Sequence, residues 1–284
     1  MNLAKKGRGL VRMKALWAFS KYVVTRNLWK GLVVPGVTYG NAVITFNTGV
    51  EKKFDQIQRE VIRFSLGCRF TCAREFLEGE GGMSTFRERE AKSKLLYWLR
   101  LSRLDESRWA AKVQAFKARY KLRTKWDRRV EFHARFIGYK KRDWAVAALG
   151  GSEIKKLVKQ KFEERWAKSL EKRTSLVLYR AHKLIRGHVD RLYDNSRGSG
   201  LFASARAGML DTQMHRKHYM EVDGLCRLCG EEEESIEHVV INCSKLGVRV
   251  AVGLDVALGF SLRRIFSEIK TTKKRLSEWE AQIQ

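Results

Sequence analysis

The chain has 284 residues, with 58 Lys and Arg against 31 Asp and Glu, so its formal net charge is +27 at pH 7. A hydrophobic fraction of 44% suffices to bury a core and argues against wholesale disorder. Five cysteines are too few for a disulfide framework, and no run approaches the roughly 18 uncharged apolar residues of a membrane helix. These features predict a soluble, intracellular and basic protein.

Most of the chain carries helical apolar spacing, and Pro35 is its single proline. An apolar pattern covers 10–30, a turn is predicted at Val34-Pro-Gly36, and the β-branched stretch 37–46 is ambiguous between a short strand and a buried helix. Gly198 and Gly200 predict a linker at 197–200. Further helices are predicted over 51–66, from Ser84 to Leu101, over 152–194 with Ser152 as N-cap, over 201–220 and over 258–284.

The predicted fold class is mainly α. We expect a basic multi-helix body over residues 1–200, followed over 201–284 by an arginine-bearing helix, a small metal-binding knuckle and a terminal helix. No internal repeat is found.

One cysteine cluster has the spacing of a metal site. It reads Cys226-x2-Cys229-x8-His238-x4-Cys243. A Cys-x2-Cys turn points two sulfurs at one centre, and thiolate and imidazole are the ligands that zinc prefers. Four protein ligands leave no open coordination position, so the spacing predicts a structural zinc site; coincidental cysteines are the alternative. Cys68 and Cys72 are interpreted as buried packing residues, because no further ligand lies near them.

Charge is distributed unevenly along the chain. Residues 225–284 contain nine Lys or Arg and nine Asp or Glu, so 49 basic and 22 acidic residues lie in 1–224. The glutamates 231–234 would repel phosphate, so we expect the knuckle to shape the C-terminal end or contact bases or a protein, rather than supply the main electrostatic attraction. A solvated acidic loop is the simpler interpretation of that run.

The strongest basic cluster is Lys117–Arg129, with seven basic residues in thirteen and two aromatic residues among them. An extended segment would present one cationic face, whereas a helix would spread the charges around its axis. Nucleic acid is the preferred partner, with RNA or single-stranded DNA contacted through phosphates and aromatic stacking. An anionic membrane surface and a merely solvated helix are the alternatives. The predicted nucleic-acid contacts are Lys117, Arg119, Lys121, Arg123, Lys125, Trp126, Arg128, Arg129, Lys140, Lys141, Arg142, Arg206, Arg216 and Lys217.

Catalysis has little support in the sequence. Nine scattered aspartates include no Asp-Asp pair, and no Gly-x-Ser-x-Gly or His-Glu-x-x-His motif occurs. His215 and His218 precede the knuckle, but its four-ligand set is complete without them. We therefore expect a protein that is not an enzyme.

Three segments together resemble the C-terminal region of reverse transcriptases from non-LTR (LINE-like) retrotransposons of arthropods. They are Leu32-Val-Val-Pro-Gly-Val-Thr-Tyr-Gly40, Phe54-Asp-Gln-Ile-Gln-Arg with the following Leu66-Gly67, and Arg206–Arg216 leading into Cys226…Cys243. The resemblance implies the thumb and connection with a CCHC zinc knuckle, binding template RNA and target DNA. The family's fingers, palm and catalytic aspartates would precede residue 1, so polymerase activity is not implied. The family's endonuclease lies before the polymerase or after the knuckle, where about 40 residues follow Cys243, and it is not implied either.

The functional hypothesis is a transposon-derived nucleic-acid-binding protein in a nuclear or cytoplasmic ribonucleoprotein, with zinc as cofactor and no membrane partner. The missing reverse transcriptase core or other retrotransposon proteins are further expected partners. A zinc-knuckle adaptor that contacts other proteins, or a non-functional transposon remnant, remains the alternative.

Overall fold

Helices make up most of the protein in the computed structural model, which describes residues 2–16, 20–139, 150–187, 192–261 and 265–284. This confirms the mainly α fold class, and the described part contains no strand, only an antiparallel bridge between Leu225 and Glu233. Within the described ranges, no helix combines the length and the apolar character needed to cross a bilayer.

The helices are numbered in chain order. Their bounds are α1 Asn2–Leu16, α2 Lys21–Leu28, α3 Val34–Thr38, α4 Thr48–Leu66, α5 Arg74–Gly81, α6 Phe86–Ser102, α7 Trp109–Arg119, α8 Lys125–Phe136, α9 Gly151–Glu171, α10 Val177–His182, α11 Arg197–Arg206, α12 Gln213–Arg216, α13 Leu254–Ala257 and α14 Ile265–Ile283. Wider π turns occupy Trp29–Val33 and His238–Asn242, and a 3-10 turn occupies Thr174–Leu176.

Two compact units are interleaved along the chain. The first comprises residues 1–5, 32–57 and 84–166, and the second comprises 6–31, 58–83 and 167–284. Residue 200, where the sequence suggested a boundary, lies inside α11 in the second unit.

The first unit is built on an apolar core from α6, α8 and α9. Leu95, Val130 and Val158 are representative, with exposures of 3% or less. Trp98 and Trp126 are partly buried against this core. The apolar positions recur every three or four residues on each helix, so each helix buries one face against its neighbours.

A group of buried charges lies in the same unit. Arg129 donates to Glu90 at 2.9 Å through Nε and also to Glu51. Burial and the neighbouring Glu90 raise the pKa of Glu51 to about 7. His133 lies 3.3 Å from Glu90, and burial lowers the pKa of its imidazole. Since buried charges are tolerated only when paired, these side chains hold one another in place.

The second unit contains an ion pair between Glu80 and Arg206, which are separated by 3.0 Å and are both buried. Tyr193 donates to the Glu80 carboxylate, and the Tyr22 hydroxyl donates to the Glu80 carbonyl at 2.6 Å. Breaking a buried pair of this kind costs about 3–5 kcal/mol, because one charge remains uncompensated.

The segment 197–200 differs from the predicted linker, because it forms the first turn of α11. A Cβ added to Gly198 would lie 2.2 Å from the Lys273 carbonyl oxygen in α14, and one added to Gly200 would lie 2.5 Å from the Gly67 carbonyl oxygen. The two glycines are required for close packing of the backbone, not for flexibility.

Other predicted elements hold in part. The helix over 51–66 is confirmed by α4 and the helix ending near 101 by α6, although Thr85, not Ser84, caps it. Pro35 lies in α3, which follows the π turn Trp29–Val33 without a break, so the predicted turn at 34–36 is wrong.

The long helices are shorter than predicted. The pattern over 152–194 corresponds to α9, the 3-10 turn and α10, with 188–191 outside the described residues. Ser152 lies within α9 and is not its N-cap. The pattern over 201–220 is interrupted by Gly208 at φ +66°, and that over 258–284 corresponds to α14 from Ile265.

Candidate metal centre and basic surface

The first two cysteines of the cluster lie in a tight turn. The Gly230 N–H donates to the Cys226 carbonyl at 2.8 Å, and Gly230 has φ +68°. The Cys226 N–H donates to the Glu232 carbonyl at 2.8 Å, which folds the chain back on itself. Glycine is suited to this left-handed position, so the turn directs both sulfurs to one side.

The other two members of the group lie at the ends of one segment: His238 begins the π turn 238–242, and Cys243 directly follows it. Residues five apart lie about 140° apart around an α-helix, which would direct His238 and Cys243 to different sides. Here the Cys243 N–H instead donates to the His238 carbonyl at 2.8 Å, the i to i+5 bond of a π turn. The wider turn brings the two side chains to the same side.

The four side chains converge. Their ligand atoms all lie within 4.8 Å of one another, with Cys226 Sγ 3.8 Å from Cys243 Sγ and Cys229 Sγ 3.4 Å from His238 Nε2. Cys226, His238 and Cys243 are buried, and Cys229 is partly exposed. The group could hold a metal ion, and it is the sole such group among the residues that the structure covers; His215 and His218 lie outside it.

The thiols of Cys226 and Cys229 have different pKa values. Burial raises the pKa of Cys226 to about 11. Burial acts in the same direction on Cys229, but hydrogen bonds from the backbone N–H groups of Glu231 and Glu232 outweigh it and lower that pKa to about 7. Backbone donors aimed at a sulfur stabilise its thiolate, which is the form that binds metals.

Two glutamates of the acidic run have specific partners. Glu232 Oε2 lies 2.7 Å from His238 Nδ1, which leaves Nε2 directed to Cys229. Glu234 is fully buried and accepts from Arg227 Nε at 2.9 Å and from Trp279 Nε1 at 2.8 Å. Glu231, Glu232 and Glu233 are all exposed, so the solvated-loop interpretation holds for these three residues, although Glu232 also contacts His238.

Arg275 of α14 anchors the segment that carries the third and fourth ligands. Its guanidinium is 1% exposed and donates to backbone carbonyls at distances from 2.5 to 3.5 Å. The acceptors are Val239, Ile241, Cys243, Leu246 and Val248. One side chain thus satisfies carbonyls that the end of the π turn would leave without donors.

The basic cluster 117–129 is neither fully extended nor a single helix. α7 ends at Arg119, a loop follows, and Thr124 caps α8 with a reciprocal hydrogen-bond pair to Asp127. α7 has no buried residue. We call residues 108–126, which include α7, the loop and the start of α8, the basic surface.

The basic surface contains no Asp or Glu and seven Lys or Arg. Lys117 pairs with Asp127 at 2.6 Å and Arg123 with Glu131. The other five have no acidic partner among the described residues. They are Arg108, Lys112, Arg119, Lys121 and Lys125.

Exposed aromatic residues accompany these cations. Trp109 is 81% exposed, Phe116 55% and Tyr120 56%. With Val113 they recur at intervals of four, three and four residues, which places them on one face of α7. Sequence reasoning missed this stripe; the same spacing beside cations and without acids would have indicated it. No comparable sequence pattern indicated the roles of Glu232, Glu234 and Arg275.

The remaining predicted contacts are distributed differently. Arg206 is 3% exposed and pairs with Glu80, and Arg129 is engaged by Glu51 and Glu90, so neither presents a surface guanidinium to a phosphate as the sequence suggested. Burial of each is compensated by the carboxylates.

Of the other predicted contacts, Trp126 is partly buried and donates to the Ala42 carbonyl at 2.7 Å. Arg128 and Lys217 are exposed, and Arg216 pairs with Asp211 at 2.8 Å. The predicted cluster 140–142, comprising Lys140, Lys141 and Arg142, lies outside the described residues.

The fold and the site together define a mainly helical protein with a Cys3His group that could hold a metal ion. Comparison with known proteins identifies no relative: no family model, no curated protein and no solved structure matches the chain.

Proposed function

We propose that this protein binds single-stranded nucleic acid through the basic surface and that zinc occupies the Cys3His group as a structural ion. The nucleic-acid part of the proposal rests on one observation. The basic surface contains seven Lys or Arg and no Asp or Glu, and its central helix, α7, has no buried residue. Five cations without acidic partners are available to phosphates, and each contact releases a condensed counterion.

The exposed aromatic residues favour a single strand over a duplex. Trp109, Phe116 and Tyr120 offer ring faces on which unpaired bases can stack, whereas the faces of duplex bases are covered by their neighbours. A purely electrostatic partner would use the cations and leave these rings in water. RNA and single-stranded DNA both present the required combination of bases and phosphates.

The geometry of the metal ligands supports zinc. With Zn–S bonds of about 2.3 Å and Zn–N bonds of about 2.0 Å, a tetrahedron has S–S edges of about 3.8 Å and S–N edges of about 3.5 Å. Two of the six ligand–ligand distances, 3.8 Å between Cys226 and Cys243 and 3.4 Å between Cys229 and His238, agree with these edges, and all six lie within 4.8 Å.

Such an ion would have a structural role in the second unit. Four protein ligands complete a tetrahedron, so no position is left for a reactive water. Zinc would tie the cysteine turn to the π turn, and Glu234 and Arg275 connect both to their surroundings. The proposal is therefore a CCHC zinc knuckle that stabilises the fold, while the basic surface binds the ligand.

The proposal includes a transposon origin, for which the resemblance of 32–40, 54–67 and 206–243 to non-LTR reverse transcriptases is the support. In that family this region accompanies the polymerase and contacts nucleic acid. We propose that this chain contributes nucleic-acid binding and no catalysis.

The test is binding of a labelled 20-nucleotide RNA and the matching single-stranded DNA between 50 and 200 mM salt. Affinity should fall steeply, with a log–log slope of about −0.7 for each phosphate contacted. A triple variant Arg119→Glu, Lys121→Glu and Lys125→Glu should reduce affinity by at least about tenfold.

The matched control changes the net charge equally at exposed lysines elsewhere: Lys6→Glu, Lys14→Glu and Lys172→Glu. If both triple variants lost the same affinity for the oligonucleotides, binding would depend only on net charge and not on the basic surface, and the proposal would be overturned. So would binding to phosphatidylserine vesicles without binding to either oligonucleotide.

A further inference from the structure

A cleft of about 610 Å³ lies in the first unit between α6, α7 and α8. This volume is within the range of about 300–1,000 Å³ typical of small-ligand sites. Trp98 and Trp126 line it, together with Leu122 and Val130. The wall of the cleft therefore contains two indole side chains at the edge of the basic surface, and Lys117 Nζ lies 5.4 Å from the centroid of the Trp126 ring.

Three cations also line the cleft, and they differ in their pairing. Lys117 and Arg123 are paired with Asp127 and Glu131, which are themselves lining residues. Lys121 is exposed and has no acidic partner in the described part of the chain. It is therefore the lining cation whose charge is available to an incoming anion.

Lys121 also has an unusual backbone conformation, with φ +52°. The Leu122 N–H donates to the Lys117 carbonyl at 2.9 Å and the Lys121 N–H to the Ala118 carbonyl at 3.2 Å, which is the Schellman ending of a helix. α8 and α11 end in the same hydrogen-bond pattern, with Gly138 and Gly208 at the left-handed position.

Glycine adopts this conformation without steric cost, whereas a lysine there is strained. Lys121 is the sole non-glycine residue with positive φ in the described part of the chain. A strained residue at the rim of a cleft supports a functional role for its side chain, because glycine would suit the turn better.

We propose that this cleft binds one unpaired nucleotide, with the base against Trp98 and Trp126 and the phosphate on Lys121. The inference rests on the proposed nucleic-acid binding and specifies where a base is held. Shape and charge both favour this ligand. The flat indole surfaces can contact a planar heterocyclic base, and the adjacent ammonium of Lys121, which has no acidic partner in the described part of the chain, can bind the phosphate. A nucleotide within a strand and a free mononucleotide share this chemistry.

The first test is Lys121→Gly. Removing a strained side chain should raise the denaturant concentration at which the protein unfolds, so lost binding cannot be attributed to misfolding. Affinity for an eight-nucleotide RNA should nevertheless fall at least about threefold. If Lys121→Gly binds as tightly as the wild type, the phosphate contact is absent and the proposal is wrong.

The second test compares that RNA with an abasic strand of equal length and charge. The intact strand should bind at least about fivefold more tightly, since stacking of a base on an aromatic side chain is worth that or more. Trp126→Phe should reduce this ratio while leaving the salt dependence unchanged. Equal affinity for both strands would overturn base binding but leave the phosphate-based proposed function intact.

Cross-linking distinguishes the cleft from the outer face of α7. With 4-thiouridine in the strand, adducts should map to Trp98 or Trp126; adducts confined to Trp109, Phe116 and Tyr120 would contradict the cleft. Adenosine monophosphate is the competitor: suppression of the adducts indicates that free nucleotides also enter, and persistence indicates that the strand context is needed. Both results support the site. Absence of any strand binding would instead remove the proposed function itself.

Discussion

The basic surface and the cysteine module, residues 226–243 with α14, use arginine and lysine in opposite ways. On the basic surface, Arg119 and Lys125 are exposed and have no acidic partner among the described residues. In the module, Arg275 is buried and satisfies five backbone carbonyls. The same residue types therefore lack acidic partners in one region and stabilise the backbone in the other, and a net charge of +27 combines both populations.

Acidic residues show the same contrast. The module keeps Glu232 and Glu234 in contact with His238, Arg227 and Trp279, whereas the basic surface excludes carboxylates altogether. The module should therefore respond to mutation through stability, and the basic surface through affinity.

The largest expected effect follows from removing a metal ligand. Cys243→Ser should abolish stoichiometric zinc and lower the urea midpoint of unfolding more than any other single change discussed, because binding of structural zinc contributes on the order of 10 kcal/mol. Metal analysis and urea unfolding followed by circular dichroism measure both quantities. Cys68→Ala is the control: this buried cysteine lies outside the group and should leave the zinc content unchanged. One retained equivalent of zinc in Cys243→Ser would contradict the assignment.

The next effect is that of Arg275→Met, which removes one donor group from five carbonyls. We expect a loss of about 3 kcal/mol or more, since each buried group left unsatisfied costs about 1–3 kcal/mol. The exposed neighbour Lys274→Met should change the free energy of unfolding by less than about 0.5 kcal/mol. Comparable values for the two variants would mean that α14 does not anchor the π turn.

A pH-dependent effect is expected from Glu51 in the first unit. Its pKa is raised to about 7 in the folded protein, from 4.5, so the folded state holds its proton more tightly than the unfolded chain. The stabilisation is fully present below about pH 4.5 and is lost as the pH rises towards about 7. The wild type should lose stability relative to Glu51→Gln over this window, as measured by denaturant unfolding at half-unit pH steps.

The pH dependence of Glu90 differs from that of Glu51, which distinguishes the Glu51 effect from general destabilisation by acid. Burial acts to raise the pKa of Glu90, but hydrogen bonds with His133, Glu51 and Arg129 outweigh burial and lower it, so its contribution is lost as the pH falls below about 4.5. The two carboxylates act in different pH windows. A constant difference between the wild type and Glu51→Gln from pH 4.5 to 7 would refute the raised pKa.

The smallest effect on stability is expected on the basic surface. Arg119→Ala and Lys125→Ala should each change the free energy of unfolding by less than about 0.5 kcal/mol, because no acidic partner is lost. Lys125 begins α8, where a positive charge opposes the helix dipole, so its removal should be neutral or slightly stabilising. A loss above 1 kcal/mol at either position would mean that these cations belong with Arg275 and not with the ligand-binding population.

Short-range sequence patterns were sufficient to predict several helices and the Cys3His group. α4 and α6 follow directly from apolar residues at helical spacing, and the four residues of the Cys3His group were identified from their intervals alone. A Cys-x2-Cys turn depends on a few residues and their immediate backbone, so its geometry is already specified by short-range sequence. The predictions at Pro35 and 197–200 failed because the same residues suit a first helical turn or a close backbone contact as well as they suit a loop.

What the sequence by itself determined is the helical class, the four residues of the Cys3His group and the location of the basic segments. Tertiary structure decided which charges are available: Arg206 is buried because Glu80, 126 residues earlier, folds against it, and Lys121 is exposed because α7 ends there in a left-handed turn. The physical reason is that helix propensity and turn geometry act over a few residues, whereas burial and ion pairing depend on side chains that only folding brings together.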